Sequence, residues 1–221
     1  MTFPFSRKIL LPLLLISLAW PGAKHQVARP GPPQLAGDSQ LPPGWKTYRH
    51  AGVPFEFSYP DGFVLEAHVN PKLGFIFALM NKPGTPWLVD INFEDRAEYS
   101  MDPYNKMSLE EFAIARARTA CDADGPGGKI SCPDVARKQT FRNQNGLNVV
   151  EFYLNRENEG YDPPKIERSV IGPIEAVLLH TGKSGQVLTF KRTDEDSSAL
   201  VSDDLLRRMA DLVSVPLWPG P

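Results

Sequence analysis

Apolar and polar positions alternate through the first half of the chain in short runs separated by turn residues. In Phe55-Glu-Phe-Ser-Tyr59 the aromatic side chains fall at every second position, the period of a strand with one buried face. Pro60-Asp-Gly62 supplies a turn before Phe63-Val-Leu-Glu-Ala-His-Val69, so these two runs are expected to pair as a hairpin. Trp45 to His50, Gly74 to Met80 and Trp87 to Glu94 read as further strands, each bounded by Pro, Gly or Asn.

The period then changes. Ser108-Leu-Glu-Glu111 has the form of a capping box, in which hydroxyl and carboxylate satisfy amide donors at a helix start. Leu109, Phe112, Ala113, Ala117 and Ala120 follow at helical spacing, which predicts a helix over 108–120 with Arg116 and Arg118 toward the end that the dipole makes favourable for cations. After a Gly-rich loop, Asn145-Gly146 separates Arg137 to Asn143 from Leu147 to Asn155, a hairpin signal resting on the positive φ that both turn residues adopt. Strands are expected at Ile174 to Thr181 and Val187 to Thr193. Val201, Leu205, Leu206, Met209, Leu212 and Val213 then form the apolar stripe of an amphipathic helix, with Asp203–Arg207 and Asp204–Arg208 as i, i+4 pairs. Strand runs interrupted by two helices imply an α+β architecture, an antiparallel sheet with two main helices packed on it.

The N-terminus follows a different pattern. Basic Arg7 and Lys8 precede the apolar run Ile9 to Leu18, which is broken by Pro12 and followed by small residues at Ala19, Gly22 and Ala23. This is the layout of a secretory signal peptide over residues 1–23, cleaved after Ala19 or Ala23. The run falls short of the roughly 18 residues that span a bilayer. No cysteine lies there, so no lipobox is present, and the expected location is periplasmic or extracellular with no integral membrane segment after cleavage. Residues 24–44 carry Pro30, Pro32, Pro33, Pro42 and Pro43 with few apolar neighbours and read as an extended linker. A single domain is expected over 45–215, with a tail at 216–221.

Composition narrows the function classes. With 24 basic and 26 acidic residues the net charge is −2, and losing Arg7 and Lys8 with the leader makes the chain more acidic still. That balance argues against nucleic-acid binding by bulk charge.

Trp45-Lys-Thr-Tyr48, Val53 to Gly62 with its Tyr-Pro-Asp-Gly ending, Ser108-Leu-Glu-Glu-Phe112 and Leu205 to Ser214, taken in order, resemble the PsbP-like group, which shares a fold with the Mog1 proteins. The resemblance implies a sandwich of antiparallel sheet between helices and a non-catalytic accessory, assembly or stress-related role. It implies no ligand residue.

Candidate chemistry is sparse. Cys121 and Cys132 are the only cysteines, and export would place them where disulfides persist. Ten residues intervene, unlike the close spacing of a redox pair, and two cysteines without paired histidines make half a zinc site. Asp122 and Asp124 lack the Gly and Glu positions of a calcium loop. Gly182-Lys-Ser184 has Val177 where a phosphate-binding loop needs Gly and a strand where it needs a helix. His25, His50, His68 and His180 show no metal spacing. His180 near Ser184 leaves room for a spatially assembled hydrolase site. The Asp90, Glu94, Asp95 group and Asp194-Glu-Asp196 read as solvated faces. Trp87 reads as core, and Trp218 as a partner contact, since large aromatics dominate interface energetics. No cofactor motif is present. The expected function is an exported, non-catalytic binding or accessory protein with a protein partner or small ligand. A small secreted hydrolase and a tethered structural envelope protein are the alternatives.

Overall fold

The computed structural model describes residues 41–49, 53–70, 75–82, 86–99, 103–181, 184–193 and 199–216. The expected leader, most of the linker, His50, Asp194 to Asp196 and Trp218 lie outside the described residues.

The order of elements is β1 (Trp45–Tyr48), β2 (Phe57–Pro60), β3 (Val64–Asn70), β4 (Phe75–Asn81), β5 (Trp87–Asp95), α1 (Leu109–Cys121), β6 (Ala123–Gly125), β7 (Gly128–Arg142), β8 (Asn148–Tyr161), β9 (Pro164–Thr181), β10 (Ser184–Arg192) and α2 (Asp203–Asp211). Strands β3 to β10 form one antiparallel sheet in the order β3-β4-β5-β10-β9-β8-β7-β6, while β1 and β2 form a separate two-stranded sheet. The fold is α+β, with helices packed against the sheet. The expected pairing of Phe55–Tyr59 with Phe63–Val69 does not occur. Pro60-Asp-Gly62 carries the chain from the small sheet into the large one, where β3 pairs with β4.

Alternation along each strand sorts its side chains to two faces. One face is covered by α2: Val89, Ile91, Phe93, Val149, Val177, Leu188 and Phe190 pack against Leu206, Met209, Ala210 and Val213, with Val53, Phe55 and Phe57 joining them. The other is covered by α1, whose Leu109, Phe112 and Ala113 meet Val150, Phe152, Leu154, Ile174, Ala176 and Val187. The capping box at α1 is formed: the Glu111 amide donates to the Ser108 hydroxyl, and the Ser108 amide donates to the Glu111 carboxylate at 2.8 Å. A hairpin turn does join these strands, but it is centred one residue earlier than expected, on Gln144-Asn145: the Gly146 amide donates to the Asn143 carbonyl at 2.9 Å with Gly146 at φ 78°, and the Asn143 side-chain oxygen accepts from the amides of Asn145 and Leu147.

Three strands outrun the part of the sheet that the helices cover. β7, β8 and β9 have 15, 14 and 18 residues against nine in β5 and β10. Their far portions pair with one another as an arm in which most residues from Asn155 to Val170 are exposed or half-buried. The sequence suggested no strand between Asn155 and Ile174, because this stretch lacks the apolar alternation of a half-buried strand. Pairing in the sheet, and not burial, holds it.

Candidate functional site

On the α2 face one lateral row of the sheet carries charge where its neighbours carry hydrocarbon. Gln139, Glu151, Glu175 and Phe190 are successive register partners across β7, β8, β9 and β10. Glu175 is completely buried and Glu151 is 6% exposed. Gln139 donates its side-chain amide to Glu151 at 2.6 Å, and Arg207 of α2 forms an ion pair with the same carboxylate. The Arg207 Nε stands 4.0 Å from Glu175, and its guanidinium lies 5.6 Å from the Phe141 ring.

Neither carboxyl oxygen of Glu175 receives a hydrogen bond from a described residue. Two facing carboxylates offer only acceptors, so a proton held by the pair would supply a donor that the described side chains do not. Burial, followed by the hydrogen-bonded charge of Glu151, raises Glu175 from 4.5 to about 8, with Arg207 opposing the shift. The direction of the shift favours the neutral carboxylic acid at neutral pH, the form able to donate to Glu151. The arrangement holds a proton through the neutral range and keeps it from solvent beneath α2.

Around this pair, Arg137 stacks on the Tyr153 ring at 3.6 Å, and the Tyr153 hydroxyl donates to Asp203 at 3.4 Å. Arg192 donates to Asp203 at 2.8 Å, to the Val201 carbonyl at 2.9 Å and to the Gly172 carbonyl. The expected Asp203–Arg207 pair is thus replaced. Arg207 turns inward to Glu151 and Asp203 turns to Arg192, because a buried carboxylate offers a stronger partner than a solvated one.

The α1 face has its own polar cluster. Glu94 is 8% exposed and accepts from Arg116 at 2.7 Å and from the Tyr99 hydroxyl at 3.0 Å. Arg116 also lies 4.6 Å from the centre of the Tyr99 ring. Burial, then the charge of Glu94, raises the Tyr99 phenol strongly. Asp90 is half-buried, raised by desolvation and paired with Lys191 at 3.5 Å. Glu94 and Asp90 are thus not solvated as their sequence context suggested.

At the root of the arm, beside the end of α1, lies an open cleft of about 450 Å³. Ala117, Ile130, Ile171 and Pro173 line it together with the cations Arg156, Lys191 and Arg192, and no carboxylate is among its lining residues.

The sulfurs of Cys121 and Cys132 are at disulfide distance, 2.01 Å. Asp122 accepts from the Cys132 amide at 3.2 Å and Asp124 from the Tyr161 hydroxyl at 3.0 Å, so both loop carboxylates serve local structure. His180 is exposed and is the register partner of Gly185, while the side chains of His68 and Ser184 lie outside the described residues. Trp87, expected in the core, is 45% exposed. No group of three or more potential metal ligands occurs among the described residues, and no described helix is long and apolar enough to cross a membrane.

The glutamate pair was not singled out from the sequence. Its signal was present: Glu151 and Glu175 are lone acids within the runs Val149-Val-Glu-Phe152 and Ile174-Glu-Ala-Val177. Their placement opposite one another depends on the β8–β9 register, which runs unbroken from Asn148↔Leu178 to Phe152↔Ile174 and shifts only beyond it.

No family profile matches the chain, and neither does any curated protein. Among solved structures, the chain is similar to cyanobacterial PsbP (CyanoP) from Synechocystis sp. PCC 6803, at 13% identity and a TM-score of 0.48, over 81% of this chain and 96% of that one. The likeness is one of fold.

Proposed function

We propose that the chain is an exported accessory protein that acts by binding a partner protein, with the β7–β9 arm as the contact surface. The carrying observation is the arm itself. Its strands continue past the helix-covered core, and Tyr161, Ile166 and Val170 on it are 46%, 55% and 55% exposed. Large apolar side chains on a rigid paired scaffold lose little entropy on docking, which favours them as contact residues. Export is supported by the leader pattern at residues 1–23 and agrees with a cysteine pair at disulfide distance.

The test is native mass spectrometry of the untagged protein isolated from its own cells without reductant. Wild type is expected to carry a second component in fixed ratio, and Ile166→Asp with Val170→Asp is expected to lose it while keeping the circular dichroism of the wild type. Retention of the component by the double variant, or a bare wild-type chain, would overturn the reading. A catalytic role would instead be lost with His180→Ala or Glu175→Gln while the complex stayed intact.

A further inference from the structure

We propose that Glu151 and Glu175 share one proton and that its loss loosens α2 from the sheet, making the pair a pH-sensitive latch on that helix. Charge in the buried row balances only with one proton on the pair. With one proton present, the single negative charge on the pair is matched by Arg207: Arg207 and Gln139 donate to Glu151, and Glu175 donates its own proton to the same carboxylate. Without that proton, two buried negative charges face one guanidinium that is already committed to Glu151 and stands 4.0 Å from Glu175.

Among the described residues no other neighbour balances the second charge. From β7 come neutral Gln139 and Arg137, the latter stacked on Tyr153; from β8 comes the Tyr153 phenol, bonded to Asp203. From β10, Phe190 occupies the register position beside Glu175, and Arg192 is held by Asp203 and two carbonyls. From α2, Asp203 adds further negative charge and Asp211 is bonded to Gln144 at the far end of the helix. In the small sheet packed on the same side, Glu56 pairs with Arg49 and Asp61 with Lys46.

The relief has one direction. β8 and β9 are hydrogen-bonded on both sides within the sheet, so they cannot move apart cheaply. α2 is held by side-chain bonds at its ends, from Asn143, Gln144 and Asn145 at the C-terminus and Arg192 at the N-terminus, and between them by apolar packing and the Arg207–Glu151 ion pair, which solvent can replace once the helix lifts. Lifting α2 admits water to the ionised pair, so α2 is the element that yields.

Linkage gives the size of the effect. Glu175 titrates near 8 when covered and near its ordinary 4.5 when exposed, so the opening equilibrium rises about thirtyfold between pH 6.5 and 9.5 and levels off above 8. Amide hydrogen exchange on the full chain reads this directly, once corrected for base-catalysed intrinsic rates. Protection of α2 amides is expected to fall by about that factor while α1 stays constant. In Glu175→Gln, which keeps the volume and a donor but cannot ionise, α2 protection is expected to stay flat. Flat protection in wild type, or an equal fall in the variant, would overturn the latch. Should the variant not fold, carbon-detected titration of the glutamate side chains in wild type decides: one carboxyl titrating in the alkaline range is expected, and all of them titrating below pH 6 would overturn it.

Discussion

The side-chain amide of Asn143 donates to the carbonyl oxygen of Val213 at 2.9 Å and to that of Ala210 at 3.1 Å, so a hairpin turn supplies the C-terminal cap of α2. The same side chain accepts two turn amides through its oxygen and is only 5% exposed. One residue therefore fixes both the β7–β8 turn and the docking of the helix. Asn143→Ala removes one donor from each of two helix-end carbonyls, which keep Asn145 and the Leu212 and Val213 amides, and takes the side-chain acceptor from two turn amides; it is expected to cost about 2–3 kcal/mol in urea unfolding. Asn143→Asp keeps the acceptor but turns a carboxylate toward those carbonyls, so at neutral pH it is expected to cost at least as much.

Gly172 marks the point where the arm departs from the core. Its φ is 138°, and a Cβ there would meet the Tyr153 ring at 2.7 Å and the Phe152 carbonyl at 3.1 Å. Arg137 stacks on the same ring at 3.6 Å, so a retreat of the ring would disturb that stacking. Gly172→Ala is expected to destabilise by about 2–4 kcal/mol through combined backbone strain and overlap. Gly62→Ala, with open space at its Cβ, serves as the control and is expected to change stability by less than about 0.5 kcal/mol.

Features that were legible in the sequence are those fixed by near neighbours. The Ser108–Glu111 box, the hairpin around Asn145-Gly146 and the stripe through Leu206 and Met209 each depend on residues within a few positions, and each is present, the turn shifted by one residue. What escaped depends on distant partners. Phe57 to Pro60 alternates like any hairpin strand, yet its partner is β1, and nothing local distinguishes that from pairing with β3. The polar stretch from Arg156 to Val170 reads as loop because its stability comes from strand pairing, with β7 and β9 on either side of β8 and with β8 alone for Pro164 to Val170. Arg207 looks like a surface partner for Asp203 until the register places Glu151 beneath it.

The cysteine pair ties the last residue of α1 to β7, with a sequence separation of 11. Arg118 donates to the carbonyls of Cys132 and Pro133, and Asp122 accepts from the Cys132 amide, so the same two segments are also joined without the sulfurs. A disulfide here would act mainly on the unfolded chain, where closing a loop of this size contributes about 3 kcal/mol. Replacing both cysteines with alanine is expected to lower stability by about 2–3 kcal/mol while leaving the circular dichroism unchanged. Intact mass without reductant should read two hydrogens below the reduced chain, and a fully reduced mass would remove the disulfide from the account.

Glu175 imposes a pH dependence on folding as a whole. Its carboxyl is raised from 4.5 to about 8 in the fold, chiefly by burial and then by Glu151. Below pH 4.5 both folded and unfolded chains hold the proton, and the contribution to stability is whole. Between 4.5 and 8 the unfolded chain has released the proton and the folded chain has not, so stability falls by up to about 1.4 kcal/mol per pH unit and levels off above 8. Asp90, raised by its own burial, acts in the same sense, so the wild-type slope alone does not isolate Glu175. The difference from Glu175→Gln does. Urea unfolding is expected to show wild type losing about 2–4 kcal/mol more than the variant between pH 5 and pH 8, with the variant the more stable of the two at pH 8. Parallel profiles would mean that Glu175 is ionised in the fold, with water or a moved Arg207 supplying the donor that its oxygens lack.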